Sequence, residues 1–243
     1  GPDLGSLEAL AAMDRPRVFF TQSAVHNPTG TDLDLHVAFG LLKLAEKYDF
    51  LIVEDDVFAD LQSKPTARLG ALDQLKRVIY VRSFSKTLSG SLRVGFVAAQ
   101  ETIASELANL KLLSSITSCV FIERVLHAML TEGYYRKLLH RIHKNLDGAR
   151  RNVVYALENA GLQLFHQPQS GMYLRARFPD IDDAFAFATM PSNQGVVLAP
   201  GVVFRPNRQI CPWMRFNVAT TNDPAVFRWL TETAGAQSKA EDQ

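Results

Sequence analysis

Two apolar runs, Phe50-Leu51-Ile52-Val53 and Val78-Ile79-Tyr80-Val81, each stop abruptly at polar side chains, Glu54-Asp55-Asp56 and Arg82-Ser83. A run apolar at successive positions, with no polar face, suits a strand buried on both sides. Such strands belong to parallel sheets sandwiched between helices. Residues 17–22 and 94–99 read as two more strands, and 33–48 carries Leu35, Phe39, Leu42 and Ala45 at helical spacing. Strands alternating with helices predict an α/β fold with a mostly parallel sheet covered on both faces. Ligands of such sheets bind outside the carboxyl ends of the strands. Asn27, Asp55 and the segment 83–86 are therefore expected along one edge.

Further along, 103–160 reads as helix with one break near 130–133. Its second part, 134–159, carries Arg136, Lys137, His140, Arg141, Lys144, Arg150 and Arg151. Asp147 and Glu158 intervene and no aromatic residue lies between Arg136 and Arg151 as a stacking platform, so a solvated face is expected rather than a nucleic-acid surface. The composition shifts after Gly161. Strands are expected at 172–178, 196–198 and 215–218, helices at 181–189 and 224–234, and a frayed polar tail at 235–243. The expected division is a large domain over 1–130, a connecting helix over 131–160 and a smaller α+β domain over 161–243.

The net charge of +1 gives no sign of a polyanionic partner, and no apolar run is long enough to span a bilayer. Cys119 and Cys211 match neither a disulfide framework nor a metal-site spacing, and two buried or half-buried thiols in a reducing cytoplasm are expected. Residues 1–4 read like a loop entering a helix in mid-domain, so the chain is expected to be part of a longer protein.

Three segments carry chemistry. Ser83-Phe84-Ser85-Lys86, followed by Arg93-Val94-Gly95, sets a primary amine beside hydroxyls and a guanidinium. Hydroxyls and an arginine can hold a phosphate, and the amine can form a Schiff base with a carbonyl. Glu54-Asp55-Asp56 crowds three acids at a strand end. No histidine lies close enough in sequence to suggest a metal, whereas a protonated heteroaromatic nitrogen would suit one carboxylate. Asn27-Pro28-Thr29-Gly30 must turn.

In this order, with Asp55-Asp56-Val57-Phe58 and Arg215-Phe216-Asn217, the segments resemble the fold-type-I pyridoxal-phosphate (PLP) aminotransferases of class I and II. The resemblance runs from about Arg17 to Leu230. It implies the aspartate-aminotransferase-like fold, a homodimer, and pyridoxal 5'-phosphate held by Lys86 as a Schiff base. It further implies that Lys86 shuttles the substrate proton and Asp55 pairs with the ring nitrogen. Asn27 would bond the ring 3-hydroxyl oxygen, Ser83, Ser85 and Arg93 would bind the phosphate, and Arg215 would clamp a substrate carboxylate. Phe58 stands where the family usually has a tyrosine that supports the cofactor's phenolate, which implies a raised Schiff-base pKa and slower chemistry. Two roles follow. One is a free-standing enzyme moving an amino group between an amino acid and a 2-oxo acid. The other is the effector-sensing domain of a GntR/MocR-type transcription regulator, in which DNA is bound by a separate N-terminal domain. A lyase or decarboxylase on the same fold is a third possibility, because fold does not fix the reaction.

Overall fold

The computed structural model describes residues 1–189 and 196–241, with side chains described up to residue 232. Two compact units are present: Gly1–His26 with Thr31–Ile142, and Asn27–Gly30 with His143–Gln243.

The first unit opens with α1 (Leu4–Asp14), capped by Asp3, whose carboxylate accepts the Ser6 N–H. Strand β1 (Val18–Thr21) follows, then α2 (Leu35–Tyr48), capped in the same way by Asp34. Strand β2 (Leu51–Asp55), the short α3 (Leu69–Asp73), β3 (Val78–Ser83) and β4 (Gly95–Ala98) complete the sheet. Its order is β1-β2-β3-β4, parallel except for the last pair. Ile52 and Val78 face a core with Leu7 and Ala11 of α1 and Ala38, Leu41, Leu44 and Ala45 of α2. The apolar spacing in α2 thus predicted the helix, and of its stripe Ala45 lies in the core and Leu42 packs against it, but Leu35 and Phe39 do not. Leu35 and Phe39 are about half exposed, while Ala38, Leu41, Leu44 and Ala45 are buried. Cover on both faces was expected, and the described residues supply it on one. Phe20 and Val97, on the face away from this core, are 72% and 47% exposed, so that face is not closed among the described residues.

The expected long helix is three: α4 (Glu101–Ser115), α5 (Val120–Thr131) and α6 (Tyr134–Asn159). The unforeseen break lies at 116–119. There Ser114 and Ser115 turn their hydroxyls onto the Lys111 carbonyl and Thr117 onto that of Ser118, and such bonds compete with the helical ladder.

In the second unit, β5 (Gln163–Leu164), β6 (Tyr173–Arg177), β7 (Ala199–Pro200) and β8 (Met214–Asn217) form an antiparallel sheet in the order β5-β6-β8-β7. The strand expected at 196–198 is displaced to β7. Helices α7 (Ala184–Thr189), α8 (Val218–Thr221) and α9 (Pro224–Glu241) accompany it, and α9 runs through most of the segment expected to fray. Rings of Phe178, Phe187 and Trp229 meet in sequence at 5.1 and 5.5 Å. Leu146, Val153 and Leu157 form the buried face of α6. Arg150, assigned above to the solvated face, is instead buried. It donates to the Gln169 and Gly171 carbonyls, fixing the turn where Gly171 takes a φ of 81°.

Glu54 shows why three adjacent acids are tolerated. Side chains alternate along a strand, so Glu54 points away from Asp55. It is fully buried and accepts the N–H groups of Leu69 and Gly70 at 3.0 and 2.8 Å, at the start of α3. Asp56 lies on Arg68 and the Tyr80 hydroxyl. Burial, and then that carboxylate, push the Tyr80 phenol up to about 12. Glu54→Gln would turn one acceptor into a donor facing an N–H. A loss of about 1–3 kcal/mol in unfolding free energy is expected, read from the shift in urea midpoint.

Candidate active site

Asp55 ends β2 and Ser83 ends its parallel neighbour β3, with Asp55 opposite Val81 in the register. The sheet therefore delivers the carboxylate and the serine–lysine segment to the same edge, as an open α/β sheet does for its ligands. Both Asp55 oxygens are engaged: Gln22 Nε2 donates to Oδ2 at 3.0 Å, and the Val57 N–H reaches Oδ1 at 3.3 Å. The carboxylate is thus oriented before any ligand arrives. Gln22, at the end of the first predicted strand, escaped the sequence reading because a lone glutamine carries no motif.

Beyond β3 the chain makes a tight serine turn. Ser83 Oγ accepts the Ser85 N–H at 3.1 Å and lies 2.8 Å from Ser85 Oγ. Antiparallel pairing of Ser83 with Gly95 folds the chain back, and the Phe84 N–H bonds the Val94 carbonyl. Arg93 thereby sits two residues from the partner of Ser83, exposed, in the left-handed conformation with φ 51°. Lys86 is exposed too. Its Nζ lies 5.7 Å from the centroid of the Phe58 ring, which is itself buried.

The second unit contributes a separate constellation. Arg215 donates through Nη1 to Asn27 Oδ1 at 2.8 Å, joining two residues 188 positions apart. Its guanidinium lies over the rings of Tyr173 and Phe204, 4.4 and 5.1 Å from their centroids. Its Nε is buried with no acceptor among the described residues, a donor that a carboxylate would satisfy. Gly30 closes the Asn27-Pro28-Thr29-Gly30 turn at φ 73°. A Cβ there would come within 2.7 Å of the Tyr173 carbonyl oxygen, so only glycine fits.

Paired hydroxyls beside a lysine and an oriented carboxylate on the adjacent strand form the donor set that a phosphorylated pyridine aldehyde requires. The residues present fit that group.

Comparison with known proteins agrees. LysN, an α-aminoadipate aminotransferase from Thermus thermophilus solved with N-(5'-phosphopyridoxyl)-L-leucine, superposes with a TM-score of 0.86 at 25% identity, over 98% of this chain and 64% of that one. The architecture is the aspartate-aminotransferase-like fold of the PLP-dependent transferases. Residues 2–230 match the family described as aminotransferase class I and II, and the chain belongs to it. Relatives include the HTH-type transcriptional regulator NorG of Staphylococcus aureus, 28% identical over 77% of this chain and 43% of that protein. Another is aromatic-amino-acid aminotransferase 1 of Thermococcus litoralis, 28% identical over 92% of this chain and 55% of that protein. The chain thus spans about half the length of these relatives. No described helix is long and apolar enough to cross a membrane.

Proposed function

We propose that the chain is the PLP-binding part of an aminotransferase-like protein, with Lys86 as the residue that carries the cofactor. The observation that supports this most is the edge where Asp55 ends β2 and the Ser83–Lys86 turn leaves β3. Bound pyridoxal phosphate supplies an electron-withdrawing ring on which an amino acid is activated. Asp55 holds charge on the ring nitrogen, Ser83, Ser85 and Arg93 hold the phosphate, and Asn27 bonds the ring oxygen. Lys86 Nζ, a primary amine, takes and returns the substrate proton. Arg215 binds the substrate carboxylate in bidentate fashion. The substrates are an amino acid and a 2-oxo acid. The working form is a homodimer in the cytoplasm, a setting in keeping with the two free cysteines, of which Cys211 is buried and Cys119, contrary to expectation, is exposed.

A second reading is the effector-sensing domain of a GntR/MocR-type regulator, with DNA bound by a domain outside this chain. Phe58 favours it. The ring is buried against Lys86 and offers no hydroxyl, a loss that binding tolerates better than turnover does. Adding amino acids to the PLP-loaded protein separates the two readings. Conversion of the absorbance to the pyridoxamine form supports the enzyme, and a stable spectral change without conversion supports the sensor.

Arg215→Gln is expected to weaken binding of any α-amino acid roughly ten- to a hundred-fold. Titration should leave the response to a simple primary amine unchanged.

A further inference from the structure

We infer that Tyr135 is a positioning residue for Lys86, tying the turn that carries the lysine to the loop beyond Asp55 that carries Phe58. The inference rests on the reading of Lys86 given above. Thr87 follows Lys86 directly, and its Oγ1 lies 2.8 Å from the Tyr135 hydroxyl. That hydroxyl donates its one proton to Asp60 Oδ2 at 2.6 Å, so Thr87 is the donor toward Tyr135. Asp60 lies two residues beyond Phe58, and its other oxygen receives Arg82, the residue before Ser83. One hydroxyl from the first turn of α6 therefore joins the loop after β2 to the loop after β3, on either side of the groups that would hold the cofactor.

The joint is packed and largely buried. Thr87 and Tyr135 are 7% and 6% exposed, and the Tyr135 ring meets Phe84 edge-on at 5.6 Å. Burial, and then the Asp60 carboxylate, hold the Tyr135 phenol well above its ordinary range, so it stays a donor. Nothing in the sequence announced it: the contact spans 75 residues, and Tyr135 lies in the helix otherwise read for its charges. The network makes no use of Lys86 Nζ. It acts on the backbone one residue away, and so on where that amine points.

Tyr135→Phe keeps the ring against Phe84 and removes the joint. In the whole protein loaded with pyridoxal phosphate, two changes are expected. The dissociation constant for the cofactor should rise roughly ten-fold, and the pH midpoint of its absorbance band should move. Thr87→Val, which removes the same link at nearly constant volume, should reproduce both effects. The double variant should add little to either single one, because all three changes break one connection. A purely structural role would lower the unfolding midpoint and leave the pH midpoint where it was. The inference is overturned if a variant that folds binds the cofactor with wild-type affinity and an unmoved midpoint. Should Tyr135→Phe fail to fold, Thr87→Val decides on the same criteria. If the wild-type protein itself forms no band, the reading of Lys86 falls and takes this inference with it. A wild-type band beside unaffected variants overturns the Tyr135 role alone.

Discussion

Lys86→Ala is expected to leave a folded protein without yellow colour, its turnover reduced by at least about a thousand-fold. The lysine is exposed and packs only toward the face of Phe58 among the described residues, so a change in stability of no more than about 0.5 kcal/mol is expected. Colour, activity and unfolding midpoint measured on one preparation separate the chemistry of the amine from any effect on folding. Because the chain supplies the amine covalently, added methylamine should restore part of the rate without restoring the covalent link. A Lys86→Ala variant that keeps both colour and turnover would mean that another residue carries the cofactor.

The effect expected for Asp55→Asn is of similar size and different character. The amide keeps the shape and can still accept from Gln22 or Val57, but it lacks the charge that holds a proton on a ring nitrogen. Cofactor should still bind and colour persist. The rate of spectral change after adding an amino acid should fall roughly a hundred- to a thousand-fold, the range seen when a preorganised electrostatic partner is removed. Stopped-flow absorbance on the loaded variant reads this directly. An unchanged rate would remove Asp55 from the site and leave its two hydrogen bonds as a structural feature of the β2 end.

What could be read from the chain followed from local rules. The strands at 50–53 and 78–81 were legible because apolar runs that end in charge have few other fates, and the β2–β3 register then carried Asp55 and Ser83 to one edge. Lys86 stood out because the Ser83–Lys86 segment, taken in order with the other three, resembles the family, and its role is the proposal made above. Other features depended on what meets what. The inward stripe of α2 could not be chosen, since Leu35 and Phe39 make as good an apolar face as Leu41 and Leu44 until the sheet is present. The break at 116–119 rests on hydroxyl-to-carbonyl bonds whose strength against the helix is a matter of geometry. Arg150 counted as one more surface cation until the carbonyls of 169 and 171 came within its reach. Gln22 on Asp55, Arg215 on Asn27, and Tyr135 on Thr87 and Asp60 are pairings across tens of residues. Asp55, Asn27 and Arg215 stood out in the sequence, but none of these pairings did.

Borohydride reduction of the PLP-loaded protein, followed by peptide mapping, tests the central claim most directly. A phosphopyridoxyl group fixed on Lys86 and on no other lysine is the predicted result. A protein that takes up no pyridoxal phosphate, or that carries the adduct elsewhere, would contradict it.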